Sequence, residues 1–186
     1  MTPTYYMACL DVSGRRCVVV GGGSVGLEKA AGLAACGAAV TVVSPELDEG
    51  FAALEVDRVA RRYRRSDLRG AFLVIAATSD RSVNERVHRD AEARGMLCNV
   101  ADVPELCNFI LPAVHREGPI AVAVSTGGAS PALAKRLRSQ IAELLGPEHA
   151  ELAEELRAMR PEVKERFHTY EERRDYFEEL VTERLS

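Results

Sequence analysis

The sequence predicts an α/β chain with a doubly wound parallel sheet, and three observations carry that prediction. Cys17-Val18-Val19-Val20 is an unbroken apolar run leading directly into Gly21-Gly22-Gly23. Such a run suits a strand buried on both faces, at the centre of a parallel sheet. A helix-compatible stretch, Leu27 to Cys36, follows and stops at Gly37, where glycine suits a C-cap. A second β-branched run, Val40 to Val43, comes at once, so strand, helix and strand close within about 30 residues.

The glycines between strand and helix have the spacing Gly21-x-Gly23-x-x-Gly26. In a dinucleotide fingerprint the first glycine permits the tight turn off the strand. The second lets backbone approach a pyrophosphate, and the third lets the helix pack on the strand. The helix amino terminus adds N–H groups and partial positive charge for that phosphate. A turn that binds nothing is the alternative, but the flanking strand and helix favour nucleotide binding and a Rossmann-like unit. The acid expected at the end of the second strand to hold the ribose hydroxyls is absent: Ser44-Pro45 stands there, and Glu46 follows two residues late. No Arg occurs among 44–47 to receive a 2′-phosphate, so NAD is expected rather than NADP.

Around this centre the other elements fall in order. Tyr5 to Leu10 reads as a short strand or arm, and Val12-Ser13-Gly14 as a turn. Leu47 to Leu54 is expected as a short helix and Val56 to Tyr63 as a weak third strand. Ala71 to Ala77 is a second fully apolar run, hence another central strand, ending at Thr78-Ser79-Asp80 where ligands of open α/β sheets sit. Ser82 or Asp80 caps a helix over Val83 to Arg94, closed by Gly95, and Met96 to Val100 is a further strand.

The pattern changes after Pro104. Cys107 to Val114 and Pro119 to Thr126 read as two strands of a hairpin that must pack on something, since a lone hairpin is unstable in water. Ser130 suits an N-cap and Pro131 the first position of a helix whose buried stripe is Leu133, Leu137, Ile141 and Leu144, stopped by Gly146-Pro147. The tail is acidic and helical, with Leu152, Leu156 and Met159 in one apolar stripe and Phe167, Tyr170, Tyr176, Phe177 and Leu180 in another. Thr169-Tyr170-Glu171-Glu172 has the form of a capping box between two helices. The resulting division is 1–112, 113–146 and 147–186, the last a small helical cap.

Composition narrows the function classes. At 186 residues and 47% hydrophobic content the chain holds one full core and a smaller appendage. No apolar stretch approaches the ~20 residues that span a bilayer. Met1 to Asp11 lacks a basic segment followed by an apolar one, so no membrane partner and a cytoplasmic location are expected. Five unpaired-looking cysteines, mostly in apolar segments, read as reduced core residues. A net charge of −4 gives no sign of nucleic-acid binding. The basic run Arg58 to Arg65 is either a phosphate contact or, the favoured reading, a solvated edge strand in which arginine discourages sheet-to-sheet pairing. The four histidines are scattered, with no metal-ligand spacing, and no metal site is expected.

Five segments, in order, resemble the precorrin-2 dehydrogenase and sirohydrochlorin ferrochelatase family, whose module also forms part of sirohaem synthases. They are Gly21 to Gly26 with Lys29-Ala30, Ala76 to Asp80 with Val83-Asn84, and Asn99-Val100-Ala101-Asp102. Phe109 to Pro112 follows, then Ser125 to Ala134 with Arg138. The Asn-Val-x-Asp and Ser-Thr-Gly-Gly-x-Ser-Pro segments are the specific ones; the glycine fingerprint alone is not. Gly26 stands where alanine is common, and Thr126 where some members carry a serine that can be phosphorylated.

The resemblance implies NAD-dependent oxidation of the tetrapyrrole precorrin-2 to sirohydrochlorin, with ferrous iron a further substrate in some members. It implies a homodimer formed through the hairpin region, and a small helical C-terminal domain. Gly21, Gly23, Ser24, Val25 and Gly26 would hold the pyrophosphate, Ser44 would lie near the adenosine ribose, and Ala77, Thr78 and Asn99 would line the nicotinamide side. Asp102 would be the catalytic carboxylate, a turn or helix cap being its alternative role. Thr126, Gly127, Gly128, Ser130 and Arg138, with Lys135 and Arg136 nearby, would bind the substrate's carboxylates. A different class of function, a nucleotide-sensing module without chemistry, would need only the first 100 or so residues and leaves Asp102 and the second glycine turn without a role.

Overall fold

Valine-rich strands buried on both faces set the architecture. In the computed structural model, which describes residues 5–185, β1 (Arg16–Val20) lies at the centre of a five-stranded parallel sheet. Beside it are β2 (Ala39–Ser44) and then β3 (Asp57–Ala60) on one side, and β4 (Leu73–Ala76) and then β5 (Leu97–Val100) on the other. Val20 pairs in register with Val43 and with Ala76, so β1, β2 and β4 end level with one another.

Side chains alternate between two cores because successive residues of a strand face opposite ways. Val18, Val20, Val74, Ala76, Cys98 and Val100 form one, with Val87 and Ala91 of helix α2 (Arg81–Glu92). Cys17, Val19, Val42 and Ile75 form the other, with Ala30 of helix α1 (Ser24–Ala34) and Phe51. Helices on both faces are what make continuous apolar strands possible.

Several boundaries differ from the sequence expectation. The segment after β2 forms only a 3₁₀ turn, Glu49–Ala53, capped by Asp48. No regular element forms over Tyr5 to Leu10, where Tyr6 is exposed. Cys107 to Pro112 is not a strand. It runs past the outer edge of β5 and satisfies that edge with side chains, as described below. Cys17 and Cys98 are buried, but Cys9 is exposed, and none of the five forms a disulfide. The arginine run is only partly an edge strand: β3 is an outer strand that stops at Ala60 and holds Arg58 alone of the run's arginines, while Arg61, just past it, makes two hydrogen bonds, 2.6 and 2.9 Å, to the buried carboxylate of Asp67. Burial pushes the Asp67 carboxyl up, but hydrogen bonds from Arg61 and from the Arg64 N–H outweigh it and hold it below the usual range.

A second compact unit begins at Pro112. Its hairpin is β6 (Ala113–Glu117) and β7 (Ile120–Val124), antiparallel, with Ala113 opposite Val124. Within this unit α3 (Pro131–Ala142) and α4 (Pro147–Arg166) lie against the hairpin, and α5 (Tyr170–Arg184) lies against α4. The hairpin is therefore covered on one face by its own unit. The expected buried stripe of α3 is instead open in a single chain: Leu133 is 50% and Leu144 73% exposed, and only Ala134 is buried. Tyr170 is likewise exposed, because it is the first residue of α5, after the Thr169 cap. Among the described residues no helix is long and apolar enough to cross a membrane.

Candidate active site

The glycine turn is shaped by what its neighbours leave open. A Cβ on Gly21 would lie 2.3 Å from the Ala77 carbonyl oxygen, and one on Gly26 would lie 2.2 Å from the Gly21 carbonyl oxygen. Gly22, absent from the predicted site, is the most confined: its Cβ would meet the Glu46 carbonyl oxygen at 2.0 Å and the Ser44 side chain at 2.9 Å. The Gly22 carbonyl also accepts from the Asp48 N–H at 2.8 Å, which ties the turn to the segment after β2. The signal for Gly22 was the run of three glycines, one more than the fingerprint requires.

Gly23 is different. Nothing lies within 4 Å of its would-be Cβ, and its φ of −82° is open to any residue. Neither crowding nor strain demands glycine there. Space for a ligand is the one reason the fingerprint offers. Gly23 is the N-cap of α1 and supplies no side-chain cap, and the first intrahelical bond runs from Leu27 N–H to the Gly23 carbonyl. The N–H groups of Ser24, Val25 and Gly26 thus precede the helix's own acceptors, and Gly23, Ser24 and Val25 are exposed. An open backbone cradle at a helix amino terminus fits a dinucleotide pyrophosphate.

The same edge carries the other predicted residues of this unit. Ser44 ends β2 beside Gly22. Ala77 N–H donates to the Val20 carbonyl at 2.8 Å, so the β4 end is fastened to β1. Thr78 is held by Asn84, a buried residue of α2: the Thr78 hydroxyl donates to Asn84 Oδ1 at 2.8 Å, and Asn84 Nδ2 donates to the Thr78 carbonyl at 2.9 Å. The Thr78 N–H also points to Asn84 Oδ1, at 3.4 Å, so its hydroxyl and both backbone groups are engaged and its methyl group is what it offers a ligand. Asn84 was quoted only as part of a motif; its signal was an amide on the buried face of an amphipathic helix. Asp80 caps α2, accepting from the N–H groups of Ser82 and Val83, and the Ser82 hydroxyl bond is the main cause holding its carboxyl below the usual range.

At the end of β5, buried Asn99 donates from Nδ2 to the Phe109 carbonyl at 3.0 Å. Asp102 follows in a turn closed by Val103 N–H to the Val100 carbonyl at 3.2 Å. It is the one non-glycine among the described residues with positive φ, +61°. The Asp102 side chain is exposed, and among the described residues its carboxylate makes no capping bond; Val103, not Asp102, is the N-cap of the following 3₁₀ turn, Pro104–Leu106. The capping role considered from sequence is not what the carboxylate does. A left-handed residue other than glycine costs up to roughly 1–3 kcal/mol, least for Asp and Asn, and its surroundings decide whether it is held there.

In the second unit, Thr126 and Ser130 meet directly. Ser130 N–H donates to Thr126 Oγ1 at 3.0 Å, and the Thr126 hydroxyl donates to the Ser130 carbonyl at 3.1 Å. Ser130 Oγ caps α3 by accepting from Leu133 N–H at 3.2 Å. Gly127 and Gly128 both have positive φ, +62° and +88°. Arg138 is half-buried two turns along α3, and Lys135 and Arg136 are exposed.

A parallel sheet ordered β3-β2-β1-β4-β5, with an open glycine cradle at its carboxyl edge, defines a dinucleotide-binding protein. Residues 8–113 match the NAD(P)-binding family model, and the chain belongs to that family. Residues 117–144 match the central region of sirohaem biosynthesis proteins and 148–186 the dimerisation region of sirohaem synthase, which bears out the resemblance its motifs carry. It is 43% identical over 170 residues to the siroheme synthase of Methylobacillus flagellatus, covering 89% of this chain and 36% of that protein. It is 37% identical over 181 residues to that of Nitrosococcus oceani, covering 95% and 39%. The chain thus spans less than two fifths of these relatives. The solved structure of SirC, a precorrin-2 dehydrogenase, superimposes with a TM-score of 0.80 at 27% identity, covering 98% of this chain and 93% of that one.

Proposed function

We propose that this chain oxidises precorrin-2 to sirohydrochlorin with NAD. The observation that carries the reading is a carboxylate held in a left-handed turn, Asp102, on the same sheet edge as an open pyrophosphate cradle at Gly23. Similarity to SirC over nearly the whole chain supports the same substrate.

Gly21, Gly23, Ser24, Val25 and Gly26 hold the pyrophosphate, Ser44 lies near the adenosine ribose, and Ala77, Thr78 and Asn99 line the nicotinamide side. When bound, NAD⁺ supplies the acceptor for a hydride. In the oxidation one substrate C–H bond breaks and its electron pair leaves with the hydrogen. A proton leaves the substrate as well, and Asp102 accepts it at a carboxylate oxygen. Asn99 is locked to the Phe109 carbonyl, so its position does not drift as the substrate enters. The carboxylates of the tetrapyrrole are taken by the Thr126-Gly127-Gly128-Ser130 turn and Arg138. The hydroxyls in that turn are engaged internally, so this contribution comes from backbone, helix terminus and cations.

The proposed organisation is a dinucleotide-binding domain over 1–112, a dimerisation region over 113–146 and a helical domain over 147–186, in a cytoplasmic homodimer. Exposed Leu133 and Leu137 of α3 support a dimer through 113–146, and the match of 148–186 to a dimerisation region supports a dimer in which the helical domain takes part as well. Sedimentation should show a dimer at micromolar concentration; an active monomer would remove it.

NADH formation from NAD⁺ and precorrin-2, followed by the absorbance of the reduced nicotinamide, tests the activity itself. No NADH above the substrate-free control would refute it, and equal turnover with NADP⁺ would refute the cofactor preference. Ferrous iron enters as the substrate of a second proposed step, read as iron-dependent conversion of sirohydrochlorin to sirohaem by the same protein.

A further inference from the structure

Among the described residues no sixth strand pairs with the outer edge of β5, and two side chains take its place. Asn108 pairs with Cys98 as a strand would: Asn108 Oδ1 accepts from Cys98 N–H at 2.8 Å and Asn108 N–H donates to the Cys98 carbonyl at 3.0 Å. Asn108 Nδ2 donates to the Met96 carbonyl at 2.9 Å. One residue earlier, the Cys107 sulfur continues this cover up to the turn that carries Asp102. It accepts from Val100 N–H at 3.1 Å and lies 3.3 Å from the carbonyl oxygens of both Val100 and Val103, either of which can receive its S–H. Asn99 Nδ2 lies 3.6 Å away. Burial raises the thiol, so Cys107 stays protonated at neutral pH and keeps both a donor and an acceptor.

The partners of this one sulfur are the first and last residues of the Val100–Val103 turn, in which Asp102 is held at φ +61°. The sulfur fills the role of the over-determining contact that a strained residue needs. We propose that Cys107 is a positioning residue for Asp102, fixing the turn so that the carboxylate stays where it accepts the substrate's proton. This rests on the reading of Asp102 as the proton acceptor.

A double-mutant cycle on the full chain tests it, with Cys107→Ala and Asp102→Asn made singly and together. Precorrin-2 oxidation gives kcat and the KM for NAD⁺, calorimetry gives NAD⁺ affinity, and hydrogen exchange reports the Val100 and Val103 amides. The expected result is a kcat about tenfold lower in Cys107→Ala, NAD⁺ affinity within twofold of wild type, and faster exchange at Val100. In the Asp102→Asn background the Cys107 change should cost nothing further. Cys107→Ser, which restores a donor and an acceptor, should recover most of the rate. Equal losses in both backgrounds, an unchanged kcat in Cys107→Ala, or a loss confined to NAD⁺ affinity would each overturn the assignment. Should Cys107→Ala fail to fold, Cys107→Val carries the same cycle, filling the volume without a hydrogen bond. Full activity of Asp102→Asn would instead remove the underlying reading, so the two failures are distinct.

Discussion

The carboxyl edge of the sheet and the Thr126–Ser130 turn both look, in sequence, like small polar and glycine-rich loops before a helix, yet they handle their polar groups in opposite ways. At the sheet edge, α1 begins with no side-chain cap, Gly23 is open, and the Asp102 carboxylate is left exposed. At the second turn, Thr126 and Ser130 bond each other and Ser130 caps α3. Their glycines differ accordingly. Gly22 and Gly26 are required because other backbone lies within 2.2 Å of where a Cβ would be, and Gly127 and Gly128 because their φ is positive in open space. The difference teaches which glycine of a run to test for a ligand: the one with neither excuse, and here that residue is Gly23.

The sharpest separation comes from Asp102→Asn. Asn is well tolerated in left-handed backbone, so the thermal midpoint should hold while oxidation falls by ~10²–10⁴. Unchanged oxidation with unchanged stability would return Asp102 to a purely conformational role.

Gly23→Val should abolish NAD⁺ binding with the fold intact, read by calorimetry beside circular dichroism. Gly22→Ala should do the reverse first: its methyl group meets the Glu46 carbonyl, and a stability loss of about 1–3 kcal/mol is expected from overpacking. If both variants lost binding and stability in parallel, the contrast among the glycines would collapse.

In the second turn, Gly128→Ala should cost about 1–2 kcal/mol through its left-handed φ alone. Ser130→Ala should cost about 1 kcal/mol as a lost cap. Denaturant unfolding at neutral pH checks both, and no loss from either would show that the turn is not self-closed.

The smallest effect is at the sheet's outer edge. Asp67 ionises more readily folded than unfolded, so its bonds to Arg61 stabilise the protein above the unfolded carboxyl value of about 4 and fade as pH falls through the lower folded value. Asp67→Asn should therefore lower the thermal midpoint at pH 7, with the gap to wild type closing in the acid range. A gap independent of pH would remove the ion pair as its cause.

The sequence alone determined the parallel sheet, because Cys17 to Val20 and Ala71 to Ala77 have no polar face and only helices on both sides can bury them. It also determined the open glycine turn and the caps at Ser130 and Thr169, since each follows from the local geometry of one or two turns, while it left the cap of α2 open between Asp80 and Ser82. Only tertiary structure decided what depends on a neighbour distant in the chain. Apolar Cys107 reads as a strand residue until β5 presents an unpaired edge that its sulfur can serve. Gly22 is merely an unassigned position in a motif until Glu46 arrives beside it. The leucines of α3 keep a helical period whether or not anything covers them, because periodicity records that a face is apolar and carries no information about which surface, if any, meets it.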